Sequence, residues 1–203
     1  MQGYPKVVKL KDGRNVTLRL LANGDFEKLY AFFQDLEEAD RLFLRDNVAD
    51  PALIRKWTEN IDCERVVPIV AEDGETIVAD ATLHNRPHGW AQHVGLIRLV
   101  VAGSHRDVGL GTLLARELVG LAEERGLEKL QANVIEDDQA MLKTFEAMGF
   151  GKEAVVREAV KDQHGNKHNL AILINDVADL GRSLEDWISD TMIPSFRVPG
   201  AGA

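Results

Sequence analysis

The residues of this 203-residue chain best suited to chemistry stand in one short stretch, Arg106-Asp107-Val108-Gly109-Leu110-Gly111-Thr112. An arginine and two closely spaced glycines precede an apolar-periodic run, and that combination makes an anion site. The first amides of a helix have no intrahelical acceptor, and the helix dipole places partial positive charge there. Glycines let the backbone approach a bulky phosphate closely, so a pyrophosphate is the natural guest. The Arg106 guanidinium can meet phosphate oxygens beside the amides of Asp107, Val108, Gly109, Leu110, Gly111 and Thr112.

The elements that must position this turn are legible on either side of it. Val94 to Val101 is an apolar run that reads as a buried strand. Leu110, Leu113, Leu114, Leu118 and Leu121 recur at helical spacing after the glycines. Two common nucleotide patterns fail here. A phosphate loop of the G-x-x-x-x-G-K-[ST] type needs a lysine that is missing. The dinucleotide fingerprint G-x-G-x-x-G would need glycine at Leu114.

What fits is R-x-x-G-x-G, and Arg106-Asp-Val-Gly109-Leu-Gly111 resembles the acetyl-CoA pyrophosphate loop of the GNAT family of N-acetyltransferases. A second stretch, Asp138 through Phe145 to Gly149-Phe150, is similar to that family's Asn-led helix ending in Gly-Phe, with Asp in place of Asn. Leu10-Lys-Asp-Gly13-Arg14, followed by Val16-Thr-Leu-Arg19, resembles the opening of bacterial GNAT domains associated with protein-lysine acetylation.

The order of elements extends the resemblance over about residues 10 to 175. Lys6 to Leu21 reads as a hairpin. Asn23 caps a helix carrying Phe26, Leu29, Tyr30, Phe33 and Leu36, and Asp50-Pro51 starts another. Arg41 to Asn47 has no clear period and is expected to lie over a cleft. Val66–Ala71 and Ile77–His84 form a hairpin. After the glycine turn and its helix come a strand at Lys129–Ile135, a helix led by Asp138, and the hairpin of Gly151–Lys161 with Lys167–Ile174. A last helix begins at Asp176, with Leu180, Leu184, Trp187 and Ile188 as its apolar face. The expected organisation is a GNAT domain over 1–175, a helix over 176–193 packed on it, and a flexible tail over 194–203.

The resemblance implies an α/β GNAT fold: a mixed central sheet splayed between the family's fourth and fifth strands, helices on both faces, and the extra C-terminal helix. It implies acetyl-CoA as acyl donor, with the pantetheine arm pairing along the backbone of Leu99, Val100 and Val101 like an added strand. Asp138 and Phe145 join the cofactor residues through the second signature. The reaction implied is acetyl transfer to a primary amine by direct attack in a ternary complex.

Two departures concern proton transfer. The family's Tyr acid falls at Thr144 or Phe145, and its Glu base at Leu96. The amine must still lose a proton and the developing oxyanion needs a donor. A backbone amide near Leu99 to Val101 supplies the donor. For the base, His84 has a suitable ordinary pKa, Asp80 on the same strand face can orient it or draw in a cationic amine, and Glu136 and Asp137 are a second choice acting through water. A buried Asp80–Arg98 pair is the competing expectation for Asp80. The missing Tyr and Glu also favour an alternative, an acetyl-CoA-binding sensor without turnover.

Composition adds exclusions. A net charge of −9 argues against nucleic acid. No run of 18 apolar residues predicts a membrane span, and the N-terminus does not read as a secretory signal. The single cysteine, Cys63, agrees with a reducing cytoplasm. No metal-ligand spacing is visible. The acceptor remains open between an amine-bearing small molecule and a protein lysine; oligomeric state is open too, a homodimer through late strands being one state the resemblance allows.

Overall fold

A computed structural model describes residues 3–37, 40–41, 44–162 and 164–191, with side chains through Glu185. The strands are β1 (Lys6–Lys9), β2 (Asn15–Leu20), β3 (Val66–Asp73), β4 (Thr76–His84), β5 (Val94–Val101), β6 (Lys129–Ile135), β7 (Gly151–Lys161) and β8 (Lys167–Asp176). They form one sheet in the order β1-β2-β3-β4-β5-β6-β8-β7. Only the β5–β6 pair is parallel, as the intervening helix crossover requires. The leading hairpin contributes two strands, so β5 and β6 are the fourth and fifth strands of the expected fold.

Those two strands separate. Pairing runs from Val94↔Lys129 to Ile97↔Ala132 and stops, although β5 continues to Val101 and β6 to Ile135. The expected splay is therefore present. Beyond Ile97, the two strands have no partner in each other.

The helices are α1 (Phe26–Asp35), α2 (Pro51–Glu59), α3 (Leu110–Glu124), α4 (Gln139–Ala147) and α5 (Val177–Thr191). One buried cluster joins Leu110, Leu114 and Leu118 of α3, Leu142 and Phe145 of α4, and Leu180 and Leu184 of α5 to the sheet. A second joins Leu29, Phe32 and Phe33 of α1 and Ile54 of α2 to Val70 and Ile77. Val70 and its neighbour Ala71 fall in different clusters. Successive strand residues face opposite ways, so helices cover both faces.

Local chemistry explains the element ends, with one correction. Asp50 caps α2 by accepting from the Ala52 amide, and Asp138 caps α4 by accepting from Met141. The expected Asn23 cap is not used; α1 starts after Asp25, whose carboxylate pairs with Arg19 and accepts from Ala22. That ion pair ties the helix start to β2 and takes over the positioning. Trp187, Ile188 and the expected tail lie outside the described side chains and residues.

Candidate functional site

The glycine turn has an unusual backbone. Asp107 and Gly109 both take left-handed backbone, at φ 61° and 87°, and α3 starts at Leu110. Alternating left-handed residues curl the amides toward one point. The first helical bond is donated by Leu113 to Gly109 O, which leaves the preceding amides without an intrahelical acceptor. A Cβ built on Gly111 would stay 3.7 Å or more from protein atoms. The protein's own packing does not demand glycine there, whereas a ligand lying against the loop would.

A cleft of about 590 Å³ opens from this turn between the splayed strands, within the size range of cofactor sites. Leu99, Val100, Val101, Arg106, Asp107, Gly109, Gly111, Thr112, Asp138 and Phe145 line it. Two expected members do not. Leu110 is fully buried in the larger core, and Val108 packs on that core while its carbonyl accepts from the Lys11 amide at 3.1 Å. Either can reach a ligand only through its backbone.

The β5 backbone is divided between two neighbours. Ala102 donates to Val78 O on β4, so the residue two back, Val100, also faces β4. Leu99 and Val101 therefore point their N–H and C=O groups into the gap. The expectation that Val100 offers backbone there is corrected by strand alternation.

Arg106 lies at the cleft with its guanidinium engaged. Nη2 donates to Asp40 Oδ2 at 2.6 Å, and Nε donates to Val101 O at 3.1 Å. A phosphate must compete for these donors.

The turn is braced from a distance by residues that sequence reasoning did not place at the site. The β1–β2 turn supplies Lys11, which lines the cleft, and Arg14, which donates to Ser104 O at 3.0 Å and meets His105 Nε2 at 2.8 Å. Buried His105 also stands 3.0 Å from Asp73 Oδ2 and 2.9 Å from Ser104 Oγ. The available signal was a polar histidine inside a glycine turn together with the Lys-Asp-Gly-Arg turn.

The expected proton-transfer residues are not brought together. His84 lies in a second cavity of about 380 Å³, which shares Arg45, Leu96, Arg98 and Asn133 with the cleft. Its Nε2 is 3.0 Å from Thr82 Oγ1. Burial, then the charges of Arg98 and Arg45, lower its pKa to about 4, against a weaker opposing pull from Asp46. The expectation of an ordinary histidine pKa is corrected: the ring is neutral at pH 7 and a weak base.

Asp80 lines neither cavity. It sits in register between Val70 and Val100, both in the apolar cluster beneath α1. Desolvation pushes its carboxyl up to about 7, partly offset by Arg98. Arg98 itself donates to Asp46 Oδ2 at 2.8 Å, so the expected Asp80–Arg98 pair gives way to Arg98–Asp46. Glu136 also lines neither cavity; it is held at the end of β6 by the Asn169 side-chain amide at 2.9 Å.

Among the described residues, no group of three or more His, Cys, Asp or Glu side chains is gathered to hold a metal ion. No described helix is long and apolar enough to cross a membrane.

β5 and β6 part beside the glycine turn, and the two cavities meet where they part. The acetyltransferase (GNAT) family model matches residues 28–150, and this chain belongs to that family. It is thus an acetyltransferase of a family whose acyl donor is acetyl-CoA.

Solved structures share the fold. RimJ of Mycobacterium smegmatis, in complex with CoA-disulfide, aligns at TM-score 0.75 and 17% identity, covering 92% of this chain and 93% of that one. The ribosomal-protein-alanine N-acetyltransferase of Brucella melitensis aligns at 0.68 and 23% identity, covering 78% and 98%. YncA of Salmonella typhimurium, solved with its cofactor acetyl-CoA, aligns at 0.68 and 18% identity, covering 80% and 94%.

Proposed function

We propose that this chain moves the acetyl group of acetyl-CoA to a primary amine by direct attack, with the donor in the cleft and the amine in the second cavity. The observation that carries this reading is the continuity of the two cavities through Leu96, Arg98 and Asn133, at the point where β5 and β6 part. Acetyl-CoA supplies the activated acyl carbon: the amine nitrogen bonds to it, the carbon–sulfur bond breaks, and the sulfur leaves as thiolate.

The residues present suit that donor. The amides of Asp107 to Thr112, together with Arg106 and Lys11, hold the diphosphate; the space over Gly111 admits it. The backbone of Leu99 and Val101 pairs with the amide-bearing arm, and one of their N–H groups donates to the carbonyl oxygen as negative charge grows there. Asp138 holds the α4 N-terminus beside the arm, and Phe145 closes the apolar wall.

His84 lies on the acceptor side and is neutral, so it can accept a hydrogen bond from the attacking nitrogen and relay the released proton to water, a weak base that passes the proton on rather than holding it. The burial and the positive field that keep it neutral also favour the free-amine form of the acceptor. Asp80 and Glu136 receive no proton-transfer role, because neither lines a cavity. A cytoplasmic setting and a bacterial source fit this chemistry.

The test begins with thermal unfolding with acetyl-CoA, NAD or ATP. A ligand at 100 times its Kd stabilises by ~2.7 kcal/mol, a shift of roughly 5–10 °C at this size. A shift with acetyl-CoA that vanishes in Gly109→Glu supports the cradle; equal shifts in both proteins refute it. Released CoA thiol then reports turnover across an amine panel. His84→Ala should cut turnover while leaving acetyl-CoA affinity intact, and full turnover would remove His84 from the mechanism.

A further inference from the structure

The second cavity differs in charge from the molecule around it. The chain carries a net charge of −9, yet this cavity is lined by Arg45, Arg86 and Arg98, with no Asp or Glu among the described residues of its wall. Arg98 gives one N–H to Asp46, just outside the wall. Arg45 and Arg86 make no hydrogen bond or ion pair with any described residue. Two unneutralised guanidinium groups and a third with free donors therefore converge on one space.

The convergence is positioned by the fold. Arg98 is fixed on β5 opposite Thr82. Arg86 follows Asn85, which is clamped on both backbone and side chain: its amide donates to Arg65 O at 2.9 Å, its Nδ2 to Glu64 O at 2.7 Å, and its Oδ1 accepts from Arg125 at 3.2 Å. The depressed basicity of His84, caused partly by Arg98 and Arg45, reports the same positive field from inside the cavity.

We propose that this cavity selects an acceptor amine carrying its own anionic group, a carboxylate or phosphate a few bonds from the nitrogen, held by Arg45, Arg86 and Arg98. The inference rests on the transfer reading and names its substrate class. Planar guanidinium groups match both oxyanions through paired N–H donors. A polycationic amine meets like charge in the same place. A volume of about 380 Å³ suits a molecule of amino-acid size rather than a folded partner.

Matched acceptors test this: β-alanine against propylamine, and O-phosphoethanolamine against ethanolamine, with spermidine and a neutral lysine-containing peptide alongside. Turnover is followed as CoA thiol. The anionic member of each pair should exceed its uncharged partner roughly 10- to 100-fold in kcat/KM. Arg86→Gln should collapse that ratio toward one through KM, and Arg86→Lys should keep part of it. Carboxylate and phosphate preference are separated by which pair shows the larger ratio.

Equal rates within both pairs, or faster turnover of spermidine or the peptide, would overturn the proposal. If no amine turns over, the transfer reading falls, and calorimetry of the protein–CoA complex with O-phosphoethanolamine still decides the charge preference. Binding that weakens in Arg86→Gln upholds it; no binding, or binding unchanged by that substitution, defeats it.

Discussion

Replacing Asp80 with asparagine should stabilise this protein at neutral and alkaline pH and leave it unchanged in acid. Asp80 sits between Val70 and Val100 over the apolar cluster that α1 covers, and no described residue hydrogen-bonds its carboxyl. Burial raises its carboxyl from 3.8 to about 7. The native state thus binds the proton more tightly than the unfolded chain does. Where the native state holds more protons, stability falls as pH rises. The loss begins near the unfolded pKa and is complete above the folded one, so it develops between about pH 4 and pH 7.

A difference of about three pKa units corresponds to ~4 kcal/mol at full ionisation. This is an upper bound, because Asp80 is only partly withdrawn from solvent and the native state relaxes around its charge. Asparagine keeps the shape and removes the ionisation. Urea or thermal melts of both proteins at pH 4, 6 and 8 should converge at pH 4. At pH 8 they should diverge by up to ~4 kcal/mol, on the order of 10 °C in Tm. Parallel curves at all three pH values, or a variant less stable at pH 8, would refute this account of Asp80.

Other outcomes follow from the same geometry. Gly111→Ala should leave Tm within about 1–2 °C and weaken acetyl-CoA binding by roughly tenfold in calorimetry, because the added methyl has room in the protein but not against a ligand on the loop. Gly95→Val should cost about 1–3 kcal/mol in denaturant unfolding, since even a Cβ there would stand 2.9 Å from Leu83, Leu127 and Leu130 at once. Arg14→Met should loosen the loop it braces, lowering acetyl-CoA affinity several-fold while circular dichroism stays native. With His84 held near pKa 4, the pH–rate profile should show no histidine inflection between pH 6 and 7 that His84→Ala removes.

Apolar periodicity and glycine punctuation made most of the fold legible. The bounds of β5 and β6 match those read from the sequence, and the turn between β5 and α3 follows from Gly109 and Gly111. Asn23 misled because a cap signal says nothing of a competing ion pair such as Arg19–Asp25. Asp80 and Arg98 read as partners because both are charges in apolar strands. Their separation by register, and the arrival of Asp46 from a loop without periodicity, depend on tertiary structure. The arginine cavity was hidden for the same reason: Arg45, Arg86 and Arg98 come from two loops and a strand that only the folded sheet assembles.

The brace on the glycine loop has a consequence for how this chain changes. Arg14 reaches Ser104 and His105 across about ninety positions of sequence, and Lys11 reaches Val108. The native loop and the β1–β2 turn are thus coupled across a long stretch of sequence, and loosening the N-terminal edge should lower donor affinity. The family match begins at residue 28, downstream of every residue in that turn. Substitutions there can retune the donor site without altering any residue of the glycine loop itself.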